Sequence, residues 1–143
     1  MHYALSEEGI RDTKAFLHRS REIENELALM HARMDQWRKR KALLSADGPS
    51  CREKEELLSV MAQTEAAILN AYHALIQVEK NVEKLILRLP ERNHRMVLEL
   101  YYLHHLSFLS VAEKMHMDER HVYRVFKKAL EMASLHRVEG KEA

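Results

Sequence analysis

Residues 106–135 of this chain read LSFLSVAEKMHMDERHVYRVFKKALEMASL, and this stretch decides how the second half of the chain folds. Val111 and Met115 are four residues apart, and Val122 and Val125 are three residues apart. Residues three or four apart lie on the same face of an α-helix, so each pair marks the apolar face of a short helix. The stretch therefore predicts two helices joined by a tight turn, with the second helix over residues 119–135.

Polar side chains stand where both helices would begin. Ser107 precedes the first helix and Asp118 precedes the second, and both residue types cap helix N-termini. His116 occupies the turn position where Gly is most common. We expect His116 to adopt a positive φ, which His tolerates better than most residues, or else the connection is longer. Leu109 should face away from the local core, either as part of a packing surface or as an ordinary exposed residue.

The second helix carries positive charge on the side opposite its apolar face. Its predicted outward residues are Arg120, His121, Arg124, Lys127 and Lys128. The major groove of B-DNA admits one α-helix, and Arg is the usual bidentate reader of guanine O6 and N7. A simpler interpretation is a solvated helix face whose basic residues complement the C-terminal helix dipole. With the preceding helix, the turn and the cap included, the pattern favours binding to double-stranded DNA.

Residues 89–135 resemble region 4 of bacterial sigma factors. They begin LPERNHRMVLELYYLHHLSFLSVAEKM, with Leu89-Pro90 at the start, an apolar run over residues 96–103, and then the helix pair. The layout of the whole chain is similar to that of small sigma-like transcription regulators of phages and prophages of Gram-positive bacteria. The resemblance implies a DNA-binding helix-turn-helix and makes RNA polymerase a candidate partner. It also implies that Arg120, His121 and Arg124 face bases, with Lys127 and Lys128 near the DNA backbone.

The first two thirds of the chain show heptad spacing. One apolar series is Phe16, Ile23, Leu27, Met30, Met34, Trp37 and Leu44, interrupted by Ser20 and Lys41. A more regular series is Leu57, Met61, Thr64, Ile68, Ala71, Leu75, Val78, Val82, Leu85 and Leu89. Such series are typical of coiled-coil seams. They predict two long helices, over residues 6–44 and 52–88, made antiparallel by the short loop 45–51.

A second apolar row beside the later seam bears on the oligomeric state. It contains Leu58, Ala62, Leu69, Tyr72 and Ile76. An apolar stripe of this width needs more than one partner helix. We therefore predict a homodimer formed through the N-terminal helices. The alternative is that the row packs against the C-terminal helices of the same chain.

Charge and cysteine content limit the possible functions. The chain of 143 residues has a net charge of +1, and residues 91–143 hold nine Lys or Arg against eight Asp or Glu. Any DNA-binding face must therefore be local, because non-specific affinity grows with the number of phosphates neutralised. Cys51 is the only cysteine, which excludes an intramolecular disulfide and a multi-cysteine zinc site.

Motifs of enzyme chemistry are missing from the sequence, which has no HExxH and no P-loop. His104 and His105 are adjacent, and adjacent residues of a regular helix do not face each other, so they should not share a metal. We expect no catalytic residue, no cofactor and no metal. The N-terminus lacks the apolar core of a signal peptide and no stretch is long enough to span a membrane. We therefore expect a cytoplasmic protein with no membrane partner.

The chain has only three glycines and two prolines, and this composition favours an all-α fold. We expect an antiparallel helical hairpin (coiled coil) for oligomerisation over residues 1–88, a DNA-binding domain over 89–138, and a tail over 139–143. The predicted function is sequence-specific, DNA-binding transcription regulation by a protein of phage origin. Two alternatives stay open. One is a DNA-packaging recognition subunit similar to phage small terminases, and the other is a helical interaction protein that does not bind DNA.

Overall fold

The computed structural model describes residues 2–46 and 51–142, which are largely helical and contain no strand. The helices are α1 (His2–Leu5), α2 (Glu7–Ala46), α3 (Cys51–Leu87), α4 (Arg92–Leu98), α5 (Phe108–Met115) and α6 (Glu119–Glu142). A π-helical segment, Glu99–Leu103, directly follows α4. The predicted all-α fold class is confirmed.

The two long helices, α2 and α3, begin and end within two residues of the limits predicted from heptad spacing. α2 begins after Ser6, whose Oγ accepts a hydrogen bond of 3.0 Å from the Gly9 backbone N–H. α3 ends before Leu89-Pro90, because Pro lacks a backbone N–H and disfavours helical geometry in the residue before it. Residues 47–50 of the predicted loop lie outside the described part of the chain, and residues 45, 46 and 51 are helical.

Contacts divide the chain into two compact units. We call Met1–Arg21 with Gln77–Ala143 the terminal unit, and Glu22–Ile76 the hairpin unit. The boundaries fall inside the two long helices. The predicted division of function at residue 88 stays a prediction.

The hairpin unit pairs α2 with α3 in antiparallel order. His31 Nε2 of α2 lies 2.9 Å from Tyr72 Oη of α3, whereas the later residue Leu44 lines a small cavity with the earlier residue Leu57. Every seam residue predicted in this unit is buried or half-buried: Ile23, Leu27, Met30, Met34, Trp37, Leu44, Leu57, Met61, Thr64, Ile68, Ala71 and Leu75. The heptad spacing therefore identifies the contact surface of the pair.

The terminal unit is built around one apolar core. Leu17 of α2 and Val82 of α3 are fully buried in it. Its other buried members are Leu85, Ile86, Leu89, Val97, Leu98, Tyr102, Val111, Ala112, Met115, Val122, Phe126, Ala129, Leu130 and Ala133. Burying each large aliphatic side chain contributes about 1.5–3 kcal/mol. This core therefore fixes α5 and α6 against α4 and the rest of the unit.

Ser20, which interrupts the first heptad series, has a structural role in the terminal unit. Its side chain is fully buried, and its Oγ donates a hydrogen bond of 3.0 Å to the Tyr102 carbonyl in the π-helical segment. The neighbouring Arg21 donates to the His105 carbonyl at 3.2 Å. The last carbonyls of a helix lack partners within the helix, and a buried one left unpaired costs about 1–3 kcal/mol. Ser20 and Arg21 thus satisfy carbonyls near the end of the π-helical segment.

Candidate nucleic-acid interface

Side-chain caps fix where α5 and α6 begin. Ser107 accepts a hydrogen bond from the Ser110 backbone N–H at 3.2 Å. Asp118 Oδ1 accepts one from the His121 backbone N–H at 2.8 Å. Each cap of this kind contributes about 1 kcal/mol. Both caps predicted from the sequence are confirmed.

The turn between α5 and α6 is short and begins at His116, whose φ of 55° and ψ of 44° are left-handed as predicted. The Met117 backbone N–H donates to the Ala112 carbonyl at 3.0 Å, and the His116 N–H donates to the Glu113 carbonyl at 3.3 Å. These two hydrogen bonds form a Schellman motif, which satisfies carbonyls at the end of a helix. The alternative of a longer connection is therefore wrong.

The buried side of α6 determines what its opposite side presents to solvent. Val122 and Ala129 are fully buried, and Phe126 is nearly so. The five residues predicted to face outward are all exposed: Arg120, His121, Arg124, Lys127 and Lys128. With 3.6 residues per turn, positions 120, 124 and 127 fall almost directly opposite the buried side. We call Arg120, Arg124 and Lys127 the basic row.

His121 and Lys128 are separate from the basic row. They are seven residues apart, so they share one flank of α6, to the side of the row. Lys128 Nζ also lies 3.5 Å from Glu131 Oε2, in an ion pair whose two side chains are well exposed. An exposed pair of this kind contributes little, so it does not commit Lys128 to this partner. The structure thus brings three of the five predicted residues together and places two beside them.

Tyr123 lies on the other flank of the basic row and is not among the residues predicted from the sequence. Its side chain is 49% exposed, and Lys127 Nζ lies 4.8 Å from the centre of its ring. Tyr123, Arg120 and Arg124 line an open depression together with Phe108 and Glu119. A signal was present in the sequence, because Tyr123 stands three residues after Arg120 and four before Lys127.

Aromatic rings lie behind this surface. Phe108 stacks on Tyr101 with ring centres 4.7 Å apart, and contacts Phe126 edge-on at 5.0 Å. Burial raises the pKa of the Tyr102 hydroxyl above its ordinary value, because a phenolate there would lose its hydration. The rings of Tyr101, Phe108 and Phe126 pack together and support α5 and the start of α6.

Leu109 is 57% exposed on α5, which confirms that it faces away from the core. The prediction that His104 and His105 lie in a regular helix is wrong. His104 directly follows the π-helical segment, and His105 is outside the helices, with φ 57°. The π-helical segment ends with the His104 backbone N–H bonded to the Glu99 carbonyl, so the adjacent histidines follow a helix end.

Comparison with models of protein families, with curated protein sequences and with solved structures finds no match for this chain. Among the described residues, no helix combines the length and the apolar content needed to cross a membrane.

Proposed function

We propose that this chain is a sequence-specific transcription regulator of phage origin that binds double-stranded DNA in the cytoplasm. The observation that carries the proposal is the basic row of Arg120, Arg124 and Lys127. It lies on the solvent side of a helix whose other side is buried, directly after a capped and tight turn. A helix held in this way by a partner helix is the usual reader of base edges in the major groove.

The proposal gives the residues of α6 different roles along its length. Arg120 and Arg124 are about 6 Å apart along the helix axis, close to two base-pair steps of about 3.4 Å each. Each can therefore address a different guanine through O6 and N7. Lys127 and Lys128 lie further along, where contacts to phosphates set the position of the protein without reading sequence. The family resemblance assigns His121 to a base, but since His121 shares a flank of α6 with Lys128, we propose that it contacts the side of the groove instead.

The proposal includes a homodimer, because the overall positive charge of one chain is weak. The chain has a net charge of only +1, so a single copy neutralises few phosphates. Two copies at a fixed spacing bind two half-sites through a raised effective concentration. The hairpin unit offers a surface for this, because the second apolar row of α3 is exposed at Leu58, Leu69, Tyr72 and Ile76.

The spacing along this row is compatible with a second copy of the same helix as its partner. With Glu65 included, the row is Leu58, Ala62, Glu65, Leu69, Tyr72 and Ile76, with intervals of 4, 3, 4, 3 and 4 residues. These intervals read the same in both directions about residue 67. A two-fold axis there pairs two antiparallel α3 helices, with Leu58 opposite Ile76 and Glu65 opposite Leu69 of the other copy. RNA polymerase, as a further partner, rests on the family resemblance alone.

Selection of bound duplexes from a random pool tests the proposed function. The full chain is incubated with the pool at about 0.1 M salt, where non-specific binding is weakened. We expect one enriched motif made of two inverted half-sites that contain guanines, because a two-fold dimer presents two copies of α6. If no motif is enriched, the proposal is wrong. Particles that form rings of many copies would support the DNA-packaging alternative.

A further inference from the structure

The open depression beside the basic row has a volume of about 450 Å³. Arg120, Arg124 and Glu119 supply its charged groups, and the rings of Phe108 and Tyr123 supply its apolar surface. The depression lies at the start of α6. In the proposed function, this part of the helix enters the major groove. A ligand that uses both parts of this surface has an apolar group close to hydrogen-bond acceptors for guanidinium.

Tyr123 is held in place although the core does not need it. Its ring meets the Phe108 ring edge-on, with centres 6.2 Å apart, and Lys127 lies over it. Phe108 is itself fixed by stacking on Tyr101 and by its contact with Phe126. Tyr123 is not a member of the apolar core of the terminal unit and is half exposed. The two rings therefore form a firm apolar surface that is open to solvent.

The chemistry of the major groove narrows the identity of the ligand. Base edges there offer hydrogen-bond donors and acceptors, and the C5 methyl of thymine is the apolar group among them. Arg side chains read guanine in the same groove. A surface that joins two aromatic rings to two guanidinium groups therefore matches a thymine methyl next to a guanine.

We infer that Phe108 and Tyr123 contact the C5 methyl of a thymine that neighbours a guanine read by Arg120 or Arg124. This makes Tyr123 a specificity-determining residue for DNA, together with Phe108 beneath it. The inference rests on the proposed function and adds the identity of one base to it.

Replacing thymine by uracil tests the inference, because uracil lacks only the C5 methyl. Each thymine of the selected duplex is replaced in turn, and the affinity of the full chain is measured at constant salt. We expect one position in each half-site where uracil weakens binding about four-fold, as loss of one buried methyl predicts. The variant Tyr123→Ala should show a smaller preference for thymine over uracil than the wild type, because only Phe108 is left to contact the methyl, whereas Tyr123→Phe should keep the full preference.

The outcomes separate this inference from the proposed function. A selected motif at which uracil is tolerated at every thymine would overturn the inference and leave the proposed function standing. Equal uracil sensitivity in the wild type and in Tyr123→Ala would also overturn it, because the methyl would then be read elsewhere. Failure to select any motif would overturn both. Since Tyr123 is half exposed and outside the core, both variants should fold, which circular dichroism checks.

Discussion

The double variant Arg120→Ala with Arg124→Ala should lose at least about 100-fold in its preference for the selected duplex over random DNA. Each bidentate contact between Arg and guanine contributes about 1–3 kcal/mol of discrimination. This variant removes two contacts from each copy of α6, and therefore four from the dimer on two half-sites. Both side chains are exposed and neither belongs to the apolar core, so the fold should be unaffected. Titration by fluorescence anisotropy, with both duplexes at the same salt concentration, measures the effect.

A matched control separates sequence reading from overall charge. Arg33→Ala with Arg52→Ala removes the same charge from exposed positions of the hairpin unit. We expect this control to keep the preference for the selected duplex, with at most a small and uniform loss of affinity. If the Arg120 and Arg124 variant keeps its preference as well, α6 is not the recognition helix.

The variant Leu69→Glu should weaken self-association on the order of 100- to 1000-fold. Leu69 is 59% exposed in the hairpin unit and stands near the centre of the proposed interface. Central interface residues contribute about 2 kcal/mol or more, and two-fold symmetry introduces the substitution twice. Sedimentation velocity across a series of concentrations should show a dimer for the wild type and a monomer for Leu69→Glu at micromolar concentration.

Three matched variants sharpen this prediction. Ala74→Glu adds the same charge on the opposite, exposed side of α3 and should leave the dimer intact. Glu65→Leu removes the charge at the centre of the row and should tighten the dimer. The double variant Glu65→Leu with Leu69→Glu again places one leucine opposite one carboxylate in an antiparallel pair, as in the wild type. It should therefore restore association. A monomeric wild type would contradict the dimer itself.

Much of the fold follows from local periodicity. The heptad series predicts α2 and α3 because the same apolar spacing recurs in every seven residues. The residues that are buried between the two helices are those that this spacing predicts. The caps at Ser107 and Asp118 and the left-handed His116 are also local features. Such features depend on a few neighbouring residues, so a single sequence is enough to predict them.

Features that depend on distant contacts could not be predicted. Ser20 and Tyr102 are 82 residues apart, and nothing near either residue shows that one satisfies the other. The π-helical segment has an apolar sequence that suits an ordinary α-helix equally well. Its widening places two consecutive tyrosines, Tyr101 and Tyr102, against the same Phe126 ring.

The candidate site was predicted in part. Charge and helical spacing identify the five outward residues of α6, and the resemblance to sigma region 4 assigns three of them to bases and two to the DNA backbone. The burial of Val122 and Phe126 decides which of the five share a face. Tyr123 is not among the predicted residues, and an aromatic residue in an amphipathic helix is more often found in the core. Its exposure follows from its angular position about α6, which the sequence alone leaves uncertain by a fraction of a turn.

Methylation protection on the selected duplex tests most directly whether the basic row reads the major groove. Dimethyl sulfate methylates guanine N7 in the major groove and adenine N3 in the minor groove. We predict that the wild-type chain protects a guanine N7 in each half-site, and that Arg120→Ala or Arg124→Ala abolishes the protection of one particular guanine. Protection confined to adenine N3, or guanine protection unchanged in both variants, would contradict the proposal.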